Sequence, residues 1–482
     1  MSLLIERRAT LVEPDRFAIT RNPVRGIRKP LVATRRGLRL PPGPVGRPVT
    51  GVLREFKRDP FEYLRICGNT YGDIFRVPLP VLDMVAVGTP DLVRYIMSDT
   101  DKYSMVGHYD VLAHRIVGRT IPLLEGDVLR QRRKLITPMF KHSSLNGLAD
   151  EIVDEFATRI DDWGRWADSG ETVDLQHEIA WLTMPAFMRA MFGIVPTDAE
   201  IRRLDHDLRL LLQSFAAAIF LAPIPKMVPL PGRDTLPAAW RRITGWIGQQ
   251  IDRRSADPIE GTDMLQILLD ARTEGGKPLS RKDLIAELAI LIAGGYETVV
   301  ASVSWTLALL DSHPQAREQL IAEVDALGGN RPEFADLKRL EWVKACFDEG
   351  QRLQGHPFHP RIALHDDEIE GYFIPRGTII GVSVYALHRD ERWWPDPDRF
   401  DPNRFADRQV VSSRPVNAFI PFGTGPHRCI GSQLGYMNAQ FILTLLFQRY
   451  RMRTPQGWTP KHASTFSTTI EGGLPVTLQR VR

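Results

Sequence analysis

From about residue 126 to residue 350 the chain carries apolar residues at helical spacing with few breaks, and this run constrains the fold more than any other feature. Long amphipathic stretches fall at Ala149–Trp166, Ala199–Phe220, Ala238–Ile251, Arg281–Leu310 and Pro314–Leu327. Outside that run the pattern changes. Asp59 and Pro60 offer a cap and a first turn for a helix expected to run through Ile66. Strand-like runs follow at Ile74–Val77 and Val85–Val87, and Arg361–Pro375 reads as short strands with turns at Glu370-Gly371 and Pro375-Arg-Gly377. A last apolar helix follows Gly431, with Leu434, Met437, Phe441, Ile442, Leu445 and Leu446 at helical spacing. Strands and helices do not alternate, which excludes a doubly wound parallel sheet. The expected fold class is mainly α with a small β-rich portion.

Hydrophobic residues make up 43% of the 482 and charged residues 25%, which excludes a disordered, collagen-like or coiled-coil chain. The net charge of +4 is unevenly placed. Residues 1–40 hold ten basic and three acidic side chains, leaving 52 basic against 55 acidic in the remainder. A globally basic nucleic-acid-binding surface is therefore not expected. Pro41-Pro-Gly-Pro44 closes the arm with a stiff turn, dividing the chain into a basic arm, 1–40, and a body, 41–482. The arm reads equally as a solvated leader or as a contact for an anionic membrane or partner. No apolar run reaches the roughly 20 residues that span a bilayer, and Met1–Glu6 is too short for a signal-peptide core. Three cysteines, Cys67, Cys346 and Cys429, cannot build a disulfide framework, and the odd count fits a reducing, cytoplasmic setting.

The chemistry concentrates in Pro421-Phe-Gly-Thr-Gly-Pro-His-Arg-Cys-Ile-Gly431. Gly423, Gly425 and Gly431 permit left-handed backbone and close approach to a planar ligand, and Pro426 stiffens the loop. Cys429 lies just before a helix start, whose free N–H groups and partial positive charge favour thiolate. A thiolate so held is a strong axial ligand for haem iron. Taken alone, the loop also reads as one more buried cysteine in a glycine-rich turn. A dinucleotide loop fails, because Arg428 stands where G-x-G-x-x-G needs its third glycine, and no Lys-Ser/Thr pair makes a phosphate loop. Zinc fails too, since no cysteine neighbours Cys429 and no H-E-x-x-H occurs.

The segment resembles the haem-binding signature of the cytochrome P450 family, Phe-x-x-Gly-x-x-x-Cys-x-Gly, met by Phe422, Gly425, Cys429 and Gly431. Three further motifs resemble the family's, in its order. Glu349-Gly-Gln-Arg352 matches Glu-x-x-Arg, whose side chains share a helix face. Pro402-Asn-Arg-Phe405 matches the segment whose arginine, here Arg404, completes an ion-pair triad. Gly294-Gly-Tyr-Glu-Thr298 matches Ala/Gly-Gly-x-Asp/Glu-Thr inside the long helix. Two adjacent glycines there cost about 1 kcal/mol each against alanine, so a close helix contact or a helix widened over a ligand should offset them.

The resemblance implies a single P450-type body with haem b held by the Cys429 thiolate and with Phe422 packed beside it. It implies His427, Arg361 and Arg133 as propionate partners, and Gly294 and Gly295 as the widened helix over the iron. It implies Glu297 and Thr298 as the acid and alcohol that bring protons to the oxygen being activated. Glu349, Arg352 and Arg404 would hold the haem-binding core. One departure is plain: the family's Trp or His, four residues before the arginine matched by Arg133, is Leu129 here. The same stretch carries Arg130, Arg132, Arg133 and Lys134, with Lys141 beyond, a basic face on which the resemblance places an acidic electron-transfer protein.

The implied activity is monooxygenation, with dioxygen hydroxylating or epoxidising an apolar organic substrate. No fused reductase fits within 482 residues, so electrons are expected from ferredoxin or flavodoxin with an NAD(P)H reductase. The competing enzyme readings are non-insertion oxidation, such as desaturation or phenol coupling, and peroxygenase turnover. The Glu297–Thr298 pair weighs against peroxide dependence. A haem sensor or carrier is the non-enzymatic reading. The family's pocket-lining regions correspond to Tyr103–Pro122, Leu208–Leu221, Ala289–Thr298, Gly355–Arg361 and Phe466–Thr469, and Met105, Ile292, Phe358 and Phe466 make them apolar. His108, His356 and His359 have no spacing that demands a role. The apolar stretch Phe215–Pro225 leaves weak contact with a membrane surface open. Cys67 and Cys346 read as packing residues.

Overall fold

The computed structural model describes residues 39–481 apart from 48–49, 80–82, 106–117, 222–234, 259–262, 273–275 and 464–468, with the side chains of 57, 83, 212–221 and 235–236 also set aside. Arm residues 1–38, His108, Phe466 and all of the Phe215–Pro225 side chains thus lie outside the described residues. In chain order the longer helices and the strands begin with α1 (Pro60–Tyr71), β1 (Ile74–Pro78), β2 (Asp83–Val87), β3 (Tyr103–Ser104), α2 (Gly126–Ile136) and α3 (His142–Asp161). Then come β4 (Val173–Asp174), α4 (Leu175–Phe192), α5 (Asp198–Leu221), α6 (Thr235–Ala256), α7 (Arg281–Ser312), α8 (Pro314–Asp325) and α9 (Glu341–Gln354). The chain ends with β5 (Phe358–Ala363), β6 (Asp367–Ile369), β7 (Tyr372–Ile374), β8 (Ile379–Ser383), α10 (Ser432–Arg449), β9 (Tyr450–Arg453) and β10 (Pro475–Arg480).

Side-chain caps set the key helix starts. Asp59 accepts from the Glu62 N–H (3.0 Å), with Pro60 in the first turn of α1, which runs five residues past Ile66. Cys67 is consequently mid-helix and buried, hydrogen-bonded to Tyr63. Ser280 caps α7 by accepting from the Asp283 N–H (3.1 Å). Asp174 caps α4, a helix with no amphipathic stripe: it is apolar nearly all round because it packs between α3 and α7. Its far end stops at Gly193 in the left-handed conformation.

Helices α3, α4, α7, α9 and α10 enclose one large apolar core, and Cys346 on α9 is buried in it. The sheet lies to one side in the order β1-β2-β8-β5-β3, antiparallel except for the β2–β8 pair. A smaller sheet orders β4-β10-β9. The β6–β7 hairpin turns on Glu370 (φ 50°) and Gly371 (φ 78°), a two-residue turn that requires positive φ at both positions. The Pro41–Pro44 stretch is no free linker. The Pro42 carbonyl accepts from the Arg76 N–H of β1 (2.7 Å), and Arg39 already bridges to Tyr372. Helix α7 is long and apolar enough to cross a membrane, but 67% of its most apolar window is buried in the protein.

Candidate functional site

The loop ahead of α10 is shaped by its glycines. Gly423 and Gly425 take φ of 68° and 71°, and a Cβ on Gly425 would collide with the Met97 carbonyl. Gly431 has neither reason: its φ is −87° and a Cβ would meet only the Phe140 ring at 3.6 Å. The Cys429 N–H donates to the Phe422 carbonyl (2.9 Å) and closes the loop. The Phe422 ring packs on Tyr436 with centroids 5.1 Å apart, and the Tyr436 hydroxyl donates to buried Asp348 (2.6 Å).

Of the three free cysteines, Cys429 alone is accessible. Protein crowds its sulfur on the other sides, and that desolvation raises the thiol above its ordinary value. The Gly431 N–H, Arg133 and Arg428 pull the other way. Burial of the sulfur thus outweighs these lowering contributions.

A second accessible surface lies on α7. Most of its middle is buried, yet Gly294 and Thr298, one turn apart, are accessible, flanked by half-buried Leu291, Gly295 and Ser302 on the same face. The Thr298 hydroxyl donates to the Gly294 carbonyl (2.8 Å), and the Ser302 hydroxyl to the Thr298 carbonyl (2.7 Å). The two glycines separate in role. A Cβ on Gly295 would overlap the Phe187 ring of α4, whereas one on Gly294 would meet nothing within 4 Å. Close helix packing explains Gly295, and the accessible face explains Gly294. Glu297 is buried beside them.

Glu349, Arg352 and Arg404 come together behind the loop. Arg352 grips Glu349 with two bonds, Nε to Oε2 (2.7 Å) and Nη2 to Oε1 (2.8 Å), and both side chains are fully buried. It also donates to the carbonyls of His388 (2.7 Å), Pro397 (2.6 Å) and Arg399 (3.1 Å). Arg404 Nε stands 3.5 Å from Glu349 Oε1, and its Nη2 donates to the Asp396 carbonyl (2.9 Å). His388 carries this clasp to the cysteine loop: burial keeps its imidazole neutral, and Nε2 accepts from the Ile420 N–H (3.0 Å).

The cationic residues divide differently from the sequence expectation. Arg361 is buried at 1% exposure and donates to the Pro360 carbonyl (2.8 Å), and burial lowers it to about 10. Near Gly423, His359 is enclosed with its Nε2 unpartnered among the described residues, and its ring lies 4.9 Å from that of His356. The Nε2 atom of His427 already faces Glu125 Oε2 at 2.9 Å. Arg133 is half-buried, and its charge favours the Cys429 thiolate. Leu129, at the aromatic position, is buried in the core. Arg132 turns inward and pairs with buried Glu287 of α7 (2.8 Å), so it is withdrawn from the basic face. Arg130, Lys134 and Lys141 remain exposed there.

A thiolate-ligated haem needs an accessible sulfur, an open helix face and donors for two carboxylates. The donors present fit it: an accessible sulfur at Cys429, the Gly294–Thr298 face, the enclosed guanidinium of Arg361 and the orphaned Nε2 of His359. Sequence reasoning missed Glu125, because an acidic residue before a helix reads as a cap, and gave His359 no role. The His-Pro-Arg run at 359–361 was the available signal for His359.

A model of the cytochrome P450 family matches residues 41–474. The chain is 28% identical over 424 residues to a cyclooctat-9-en-7-ol 5-monooxygenase of Streptomyces melanosporofaciens, covering 87% of this chain and 90% of that protein. It is 26% identical over 433 residues to human cytochrome P450 3A5, covering 86% and 85%. A solved structure described as the cytochrome P450DA heme domain superposes with a TM-score of 0.80 at 21% identity, covering 90% of this chain and 96% of that one.

Proposed function

This chain belongs to the cytochrome P450 family of oxidoreductases, and from that premise we propose that it is a haem-thiolate monooxygenase acting on an apolar organic substrate. The observation that carries the reading is the accessibility of Cys429 while the other two cysteines are buried. Cys429 would ligate the iron, Arg361, His359 and His427 would hold the propionates, and the Arg352 clasp would keep the loop in place. Bound haem supplies the redox-active iron at which dioxygen is reduced. The chain's own part is to deliver protons and exclude water. Glu297, buried one residue before Thr298, passes protons to the accessible threonine hydroxyl, which presents them on the Gly294 face. Substrate, dioxygen, two electrons and two protons then give a hydroxylated product and water. A separate acidic electron carrier, ferredoxin or flavodoxin, docks on Arg130, Lys134 and Lys141, the exposed cations around α2.

The absorption spectrum of the reduced, CO-bound protein tests this. A red-shifted Soret band is expected, and Cys429→Ala should abolish it. Thr298→Ala should divert most reducing equivalents to peroxide. A normal wild-type spectrum without the red shift would sink the thiolate assignment, and coupled turnover in Thr298→Ala would refute the proton role.

A further inference from the structure

Glu125 immediately precedes α2, where a carboxylate ordinarily caps the first turn, yet it makes no cap bond to its own helix. Its Oε1 accepts instead from the Ser104 hydroxyl (3.0 Å) and the Met105 N–H (2.7 Å), at the end of β3. Its Oε2 faces His427 Nε2 at 2.9 Å, 302 residues away in sequence. Its charge also favours the buried guanidinium of Arg361. A resident carboxylate thus sits among the cations assigned above to the haem propionates.

An imidazole bonded through one nitrogen has its ring plane fixed and a single nitrogen left for another ligand. Carboxylates behind histidines do this work in many ligand sites. The arrangement matters more here because Leu129 supplies no hydrogen bond at the place where the family has Trp or His. We propose that Glu125 is a positioning residue for the cofactor's carboxylate side: tethered to Ser104 and Met105, it accepts from His427 Nε2, so that an imidazolium bridges Glu125 and a haem propionate through its two N–H groups. This rests on the haem reading given under Proposed function.

The test is the rate of haem loss from the purified holoprotein to excess apomyoglobin, followed at the Soret band. Four proteins are compared: wild type, Glu125→Gln, His427→Ala and the double variant. Glu125→Gln should shed haem about ten-fold faster than wild type, the low end of what removing such a supporting carboxylate costs. In the His427→Ala background the same change should alter the rate by less than about two-fold, because the group it orients is gone. Equal acceleration in both backgrounds would show that Glu125 merely anchors the β3 end, and no acceleration in wild type would remove any role; either overturns the proposal. Should Glu125→Gln yield no holoprotein, Glu125→Asp keeps the charge with a shorter reach. It should give a smaller acceleration that also disappears with His427→Ala, and its persistence there overturns the proposal. A wild-type protein lacking the thiolate spectrum would overturn the haem reading and this proposal together. A normal wild-type spectrum with an unaltered Glu125→Gln overturns this proposal alone.

Discussion

Arg352 and Arg361 are both buried to 1% exposure, yet their surroundings are opposite. The guanidinium of Arg352 meets a carboxylate through two N–H groups and also three backbone carbonyls. That of Arg361 meets, among the described residues, a carbonyl of its own strand, with Glu125 acting on it only through its field. A buried cation with every donor answered holds a fold together, whereas one left half-answered costs stability until a partner answers it.

The comparison breaks most sharply by mutation. Arg352→Lys cannot reproduce the two-pronged grip on Glu349 and leaves that carboxylate buried with a poor partner, a loss of about 3–5 kcal/mol. We expect little folded protein, read by soluble yield and thermal unfolding. Arg361→Met should leave the melting temperature of the haem-free chain unchanged or higher while haem content falls. Unfolding of Arg361→Met as severe as that of Arg352→Lys would erase the distinction.

A smaller effect is expected at the α2–α7 contact. Burial raises the Glu287 carboxyl to about 7, against the pull of Arg132 and the Ile121 N–H. A carboxyl raised on folding binds more protons in the native state, so stability is full below about pH 4.5 and falls as pH rises towards 7. The loss is on the order of 3 kcal/mol. Glu287→Gln keeps one acceptor oxygen and cannot ionise, and should flatten this slope, seen as a reduced difference in melting temperature between pH 5 and pH 8. An unchanged difference would assign the slope elsewhere.

The smallest effects sharpen the comparison within two adjacent residues. Gly295→Ala drives a methyl group into Phe187 and should cost about 1–3 kcal/mol. Gly294→Ala meets nothing and should stabilise the chain by up to about 1 kcal/mol through helix propensity, while slowing turnover on the accessible face. Equal destabilisation by both would mean that Gly294 is packed rather than open.

Much of this was legible in the sequence because it is local. Caps at Asp59, the turn at Glu370-Gly371 and the long period of α7 are each written within a few residues. Helix α4 was not, because a helix buried on every side has no stripe to read. The site divides along the same line. Glu349 and Arg352 are one helical turn apart, so their pairing followed from spacing. The Glu125–His427 contact spans 302 residues, and Arg132 faces Glu287 across two helices, so neither had a sequence period to betray it. The thiol of Cys429 shows the limit of local reasoning about charge: a helix end favours thiolate, but burial of the sulfur raises the thiol.

The contact between Phe187 and Gly295 has a consequence for the seating of the long helix. The aromatic ring occupies the place a Gly295 side chain would take, and so sets how closely α4 and α7 approach. The helix that carries the Gly294–Thr298 face is therefore seated by a side chain of another helix. Trimming Phe187 to leucine would loosen that seat without altering any side chain on the accessible face.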